Sequence, residues 1–120
     1  MAIKSISKEI ISHKEVKDKI EYEIGILEKL KHISIIQLFE TFESKKNVLL
    51  VFEICTGGDL LIYVRKRKKL KENLAKIIFI QILEGINHCH KNQIVHRDIK
   101  LDNILLNSNG DIKVIFTSDL

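Results

Sequence analysis

A chain of 120 residues with 45% hydrophobic side chains holds one domain at most, well short of the roughly 250 residues at the top of the usual domain range. The formal charge of +4, from 20 Lys and Arg against 16 Asp and Glu, is modest and comes largely from one local run, so no nucleic acid partner is implied. Cys55 and Cys89 lie far apart in unrelated contexts, which gives neither a disulfide framework nor a metal-ligand pairing and points to a reducing, intracellular setting, the cytoplasm first of all.

Met1 to Ile6 opens with Met1, Ala2 and Ile3 before Lys4 and reads as a short strand or a disordered start. It lacks the long apolar core of a signal peptide, and the apolar run Val48 to Phe52 is far too short to span a bilayer, so no membrane partner is expected. From Lys14 to Leu30 the residues Val16, Ile20, Leu27 and Leu30 recur at helical spacing, and Glu23 falls on that stripe, whereas Glu15, Glu21 and Glu28 lie off it. A carboxylate facing the core needs a cation, and Lys4 is the natural candidate. Gly25 weakens this helix by about 1 kcal/mol relative to Ala.

Ile33 to Glu43 and Asn47 to Ile54, joined by Ser44-Lys45-Lys46, read as the two strands of a hairpin rich in Ile, Val, Leu and Phe. Gly57 and Gly58 then let the backbone turn, and Asp59 is placed to cap a helix beginning with Leu60 to Val64. Arg65-Lys66-Arg67-Lys68-Lys69-Leu70-Lys71 is the most basic run; out of context it fits a nuclear localisation signal or an anion-binding patch, and here it reads as a solvated link between two helices. From Glu72 to about His90 apolar groups including Ile77, Ile78, Phe79, Ile80 and Leu83 surround almost the whole circumference, which predicts a buried helix. His88 and His90 fall about 200° apart on it, so they are expected to be structural rather than a metal pair.

Ile94 to Leu106 carries the densest chemistry. Between apolar ends that read as short buried strands lie Arg97, Asp98, Lys100, Asp102 and Asn103. A carboxylate can orient a hydroxyl and accept its proton, an ammonium two residues on can neutralise a phosphoryl group, and an amide oxygen can hold a hard cation such as Mg2+. A polar turn that merely hydrogen-bonds its own backbone is the competing reading. Asn103 to Leu106 and Ile112 to Ile115 then flank Asn107-Ser108-Asn109-Gly110, a hairpin signal because Asn-Gly accepts positive backbone dihedrals.

His96-Arg97-Asp98 with Lys100 and Asn103 resembles the catalytic loop of eukaryotic protein kinases, and Lys at that position resembles the serine/threonine branch. Met-Ala-Ile-Lys is similar to the family's Val-Ala-Ile-Lys, Glu23-Ile24-x-Ile26-Leu27 with Leu30-x-His32 is similar to its helix, and Phe52 to Asp59 resembles its hinge. The resemblance implies that Asp98 orients the substrate hydroxyl, Lys100 stabilises the moving phosphoryl group and Asn103 holds Mg2+. It also implies an ATP site in which Lys4, paired with Glu23, meets the phosphates and Phe52 is the gatekeeper. The backbone of Glu53 and Cys55 would bind adenine between Ala2 and Leu105, and Asp59 would approach the ribose.

The fold expected on this basis is α+β: a truncated protein-kinase-like fold in which a small antiparallel sheet and helix of the N-lobe (1–54) join through a hinge (55–59) to the first helices and catalytic-loop hairpin of the C-lobe (60–120). The resemblance departs from the family at Ile33, where a proline is common, and at Phe116-Thr117-Ser118, where Asp-Phe-Gly is expected; Asp119 comes three residues late and takes no metal role. No glycine-rich loop precedes Lys4. The expectation is therefore a partial ATP- and Mg2+-dependent serine/threonine protein kinase acting on a protein substrate, weak or inactive alone. The alternative is a noncatalytic kinase-like module that binds a partner.

Overall fold

The computed structural model describes residues 1–95 and 98–115. They form an α+β chain divided into two compact units, one of Met1–Lys31 with Gln37–Ile54, the other of His32–Ile36 with the described residues between Cys55 and Ile115.

In the first unit, β1 (Ala2–Ser7), α1 (Lys8–Ile11), α2 (Lys14–Lys29), β2 (Leu38–Glu43) and β3 (Asn47–Phe52) build an antiparallel sheet in the order β1-β3-β2. The central position of β3 leaves Leu50 and Val51 buried, and they join Ile6, Ile20, Leu27, Leu30 and Leu38 in the core. Period-two alternation puts Ala2, Lys4 and Ile6 on one face of β1. The single turn α1 was not foreseen: at four residues it is too short for apolar periodicity to show, and its start is fixed by the Ser7 hydroxyl oxygen, which accepts the Glu9 N–H at 3.3 Å. The expected hairpin forms, closed where Ser44 N–H donates to Asn47 O at 2.8 Å. Its first strand, however, begins at Leu38 rather than Ile33, with a register shift between Leu38 and Glu40.

Gly25 lies inside α2 with nothing within 4 Å of where a Cβ would sit. Gly25→Ala should therefore raise the urea midpoint, with a gain of about 0.5–1 kcal/mol from reduced backbone entropy in the unfolded chain. An unchanged or lowered midpoint would contradict the open space described.

The second unit contains α3 (Leu60–Arg67), α4 (Glu72–Lys91), a 3-10 turn (Leu101–Asn103), β4 (Ile104–Leu106) and β5 (Ile112–Val114). Leu60, Ile78, Ile104, Leu106, Ile112 and Val114 pack as one buried cluster, with Leu70 and Leu74 partly buried against it. The β4–β5 hairpin is bracketed on both sides. Ile35 bridges Val114 in parallel, with Val114 N–H donating to Ser34 O at 2.8 Å and Ile36 N–H to Val114 O at 3.0 Å; on the other edge Asp59 bridges Leu105, Gly57 N–H donates to Leu106 O at 2.8 Å and Leu106 N–H to Gly58 O at 2.9 Å. Gln81 Oε1 on α4 accepts the Ile112 N–H at 2.8 Å, tying the hairpin to the helix.

Three expectations are corrected here. Ile94 and Val95 form no strand, and Val95 is exposed. The helix starting at Leu60 runs through Arg67, so Arg65, Lys66 and Arg67 of the basic run are helical rather than link. α4 is not buried all round: Ile78, Gly85 and Cys89 are buried, while Ile77, Phe79, Ile80 and Leu83 are exposed. Its apolar circumference exceeds what the described residues cover.

His32 and His88 stack with ring centroids 4.9 Å apart, and His32 Nδ1 accepts the Ser34 N–H at 3.0 Å. Desolvation, followed by the positive potential of His88 and with Lys113 adding to it, holds the His32 pKa below its ordinary 6.5, and Glu84 opposes the shift only in part. The unfolded chain then binds more protons than the folded one, so stability is lost as pH falls through the window just below 6.5 and is fully present above it. The urea midpoint should be lower at acid pH than at neutral pH, and His32→Asn, whose amide oxygen can still accept the Ser34 N–H, should flatten that dependence. An equally steep pH profile in the variant would rule out His32 as its source. Cys89 is a buried thiol whose pKa burial pushes up to about 11, so it is protonated and unreactive.

Candidate functional site

The chain leaves α4 through Asn92, whose N–H donates to Cys89 O at 3.0 Å, and through Gln93 in a left-handed conformation with φ of 61°. His96 and Arg97 of the predicted loop lie outside the described residues, as do Phe116-Thr117-Ser118 and Asp119. From Asp98 the loop runs into the 3-10 turn, closed by Asn103 N–H donating to Lys100 O at 3.0 Å, and is anchored where Ile115 N–H donates to Asn103 O at 2.8 Å.

Asn103 is 8% exposed, and a buried amide needs partners. Its Nδ2 donates to Asp98 O at 2.9 Å and to Asp98 Oδ2 at 3.0 Å. Lys100 Nζ lies 3.7 Å from that same Oδ2. One carboxylate oxygen is thus shared by an amide donor that fixes its direction and a cation that faces it. The Asp98 and Lys100 side chains are about half open to solvent, so the pair contributes little to stability. What it presents is an ordered carboxylate with an ammonium beside it, open to solvent.

With Nδ2 turned to Asp98, the Asn103 amide presents its oxygen in another direction. An amide oxygen and a carboxylate are hard donors of the kind Mg2+ takes, and the buried, doubly bonded Asn103 holds its oxygen in one orientation. Among the described residues no three His, Cys, Asp or Glu side chains gather as a metal cage. Mg2+ is ordinarily held by one or two protein oxygens with water and phosphate completing its shell.

In the first unit, Lys4 of β1 and Glu23 of α2 line one cavity of about 330 Å³ with Ile6, Val16, Lys19 and Ile20. Both are half-buried, and Glu23 Oε2 is shielded from solvent. Lys19, one helical turn before Glu23, brings a second cation to that cavity, a feature the apolar stripe alone did not reveal. Ala2 and Leu38 both register with Phe52 of β3, so the three form a row across the sheet. Glu53 is bound in both directions to Gln37, a residue that sequence reading did not single out: its N–H donates to Gln37 O at 3.0 Å and its Oε1 accepts the Gln37 N–H at 2.8 Å.

In the second unit, Cys55 is half-buried and in no disulfide. Gly58 has φ of 76°, and Gly57 passes so close to β4 that an added Cβ would sit 2.8 Å from Leu106 O. Asp59 caps α3, its Oδ1 accepting the Ile62 N–H at 2.8 Å. Leu105, half-buried, registers with Lys113 and bridges Asp59.

Asp98, Lys100 and Asn103 therefore meet at one oxygen, Lys4 and Glu23 share a cavity, Ala2 and Phe52 share a row, and Asp59 and Leu105 share a bridge. No helix among the described residues is long and apolar enough to cross a membrane.

A family model described as the protein kinase domain matches residues 1–116. Among curated proteins, NUAK family SNF1-like kinase 2 of Homo sapiens is 42% identical over 114 residues, covering 95% of this chain and 18% of its own length. NUAK family SNF1-like kinase 1 of Homo sapiens is 40% identical over 114 residues, covering 95% and 17%. CBL-interacting serine/threonine-protein kinase 17 of Arabidopsis thaliana is 40% identical over 113 residues, covering 94% and 26%. The chain thus spans about a fifth to a quarter of the length of these relatives.

Proposed function

The chain belongs to the protein kinase domain family, matching serine/threonine kinases as a partial domain, and from that membership we propose that it carries the nucleotide-binding and catalytic-loop chemistry of an ATP-dependent protein serine/threonine kinase. The observation that carries this reading is the convergence of Lys100 Nζ and Asn103 Nδ2 on Asp98 Oδ2, at 3.7 and 3.0 Å.

In this reading Asp98 orients the substrate hydroxyl and takes its proton, while Asn103 keeps the carboxylate aimed. Lys100 meets the negative charge of the phosphoryl group in flight. Asn103 would hold Mg2+ through its amide oxygen, and the ion, when bound, neutralises phosphate charge. Lys4 engages the phosphates and is held by Glu23. The backbone of Glu53 and Cys55 recognises adenine, Phe52 guards the depth of the site, Ala2 and Leu105 cover the two faces of the base, and Asp59 reaches the ribose through its Oδ2, since Oδ1 serves the helix cap. Two cysteines, neither in a disulfide, support work in a reducing compartment, the cytoplasm.

The test puts residues 1–115 of this chain in place of the matching segment of human NUAK family SNF1-like kinase 2, so that everything before and after that segment comes from the relative. γ-Phosphate transfer from ATP to a Ser/Thr peptide is the expected result. A folded chimera that binds ATP with Mg2+ but transfers nothing, beside an active parent, would overturn the catalytic reading and leave a noncatalytic binding module.

A further inference from the structure

The basic run plays no part in that chemistry. Arg65, Lys66 and Arg67 close α3, Lys68 leaves the helix with φ of 63°, and Lys69 and Lys71 follow before α4 begins. All six cations are exposed, and among the described residues none of them is in an ion pair. The nearest acid in sequence, Glu72, faces Lys76 at 3.2 Å. Basic residues favour a helix end because its carbonyls carry partial negative charge, but that effect fades beyond the last turn and leaves Lys69 and Lys71 unaccounted for.

The run is also held in shape. Lys68 N–H donates to Arg65 O at 3.3 Å, Lys69 N–H to Arg67 O at 2.7 Å, and Leu70 packs against the buried cluster of the second unit. Cations mounted on a fixed backbone lose less entropy on meeting a ligand than cations on a free tail.

We propose that residues 65–71 form a docking surface for an acidic segment of a partner polypeptide. Charge complementarity selects an anion, and the neighbourhood selects its kind. Single-stranded nucleic acid needs aromatic faces for base stacking, but the face of Tyr63, the aromatic residue next to the run, is covered by the Arg67 guanidinium 4.2 Å from its centroid. A membrane surface needs an apolar stripe to insert beside the charges, whereas the run's own Leu70 is turned inward. Ile62, one helical turn before Lys66 and 47% exposed, offers a single apolar contact. That suits one apolar side chain set among Asp and Glu, and the docking is independent of phosphoryl transfer.

The experiment measures fluorescence anisotropy of a labelled short peptide of Glu and Asp around one Leu, titrated with the full 120-residue chain. The triple variant Lys66→Gln, Lys69→Gln, Lys71→Gln should bind at least roughly tenfold more weakly, as expected for three partly screened charge contacts, and added salt should weaken the parent in the same direction. Lys45→Gln with Lys46→Gln, in the turn between β2 and β3, should bind as the parent does. Equal binding by the triple variant would overturn the proposal, as would tighter binding of the parent to a single-stranded oligonucleotide or to phosphatidylserine vesicles than to the peptide. If the triple variant loses helical circular dichroism, amide shifts of the parent decide instead: peptide-induced shifts within 62–71 support the surface, and shifts confined elsewhere overturn it.

Discussion

Asp98→Asn in the chimera should lower turnover on the order of 100-fold to 10,000-fold, the range that positioned proton acceptors contribute, while ATP affinity changes little. The side chain is isosteric, so the loop can keep its shape around Asn103 and Lys100. What it loses is basicity and the negative charge facing Lys100 Nζ at 3.7 Å. Asn103→Ala should act differently. It removes both hydrogen bonds that aim Asp98 and the amide oxygen proposed for Mg2+, so turnover should fall together with a higher Mg2+ requirement. Measuring transfer rate and Mg2+ dependence for the two variants separates the roles, and unchanged transfer in Asp98→Asn would sink the mechanism.

Gly57→Ala should cost about 2–3 kcal/mol of stability, near the upper end of ordinary overpacking. A Cβ there would lie 2.8 Å from both Cβ and O of Leu106 and 3.0 Å from Asn107 O, so backbone must move and the Gly57 N–H to Leu106 O bond at 2.8 Å is strained or lost. Gly58→Ala makes the control: φ of 76° penalises it by about 1–2 kcal/mol, yet nothing stands within 4 Å of its Cβ. Urea midpoints rank the two, and exchange of the residue-57 amide, which donates to Leu106 O, should quicken in Gly57→Ala but not in Gly58→Ala. Equal stability of Gly57→Ala and the parent would refute the close approach.

Local signals were read well where the cause is local. Val16, Ile20 and Leu27 mark α2 because helical spacing is visible within a few turns, and Asn109-Gly110 marks the β4–β5 turn because Gly110 adopts φ of 82°. The start of β2 is not legible in the sequence for the opposite reason. Ile35 and Ile36 belong to an apolar run that continues into Leu38, but their backbone pairs with Val114, and nothing nearby in sequence announces so distant a partner. α4 shows the limit of composition: a helix apolar on every side predicts burial, yet burial depends on what is there to cover Ile77 and Phe79. At the candidate site the motif identified Asp98, Lys100 and Asn103 as residues to watch. That Asn103 aims the Asp98 carboxylate through its own nitrogen is a matter of rotamers and burial, which the spacing of letters does not encode.

The pairing of β5 with Ser34–Ile36 also has a consequence for the order of events during synthesis. A ribosome delivers Ser34 long before Val114, so the Ser34 carbonyl and Ile36 N–H have to wait, satisfied by water, until β5 emerges. Closing so long a loop carries an entropic cost that grows with the logarithm of its length, and contacts of such high sequence separation slow folding. The second unit is thus a late-completing one, and the strand that completes it lies immediately after the residues proposed to carry the chemistry. A nascent chain has its Asp98 loop in hand before it has the hairpin that pins Asn103 through Ile115, so the anchoring of that loop waits for residues 112–115.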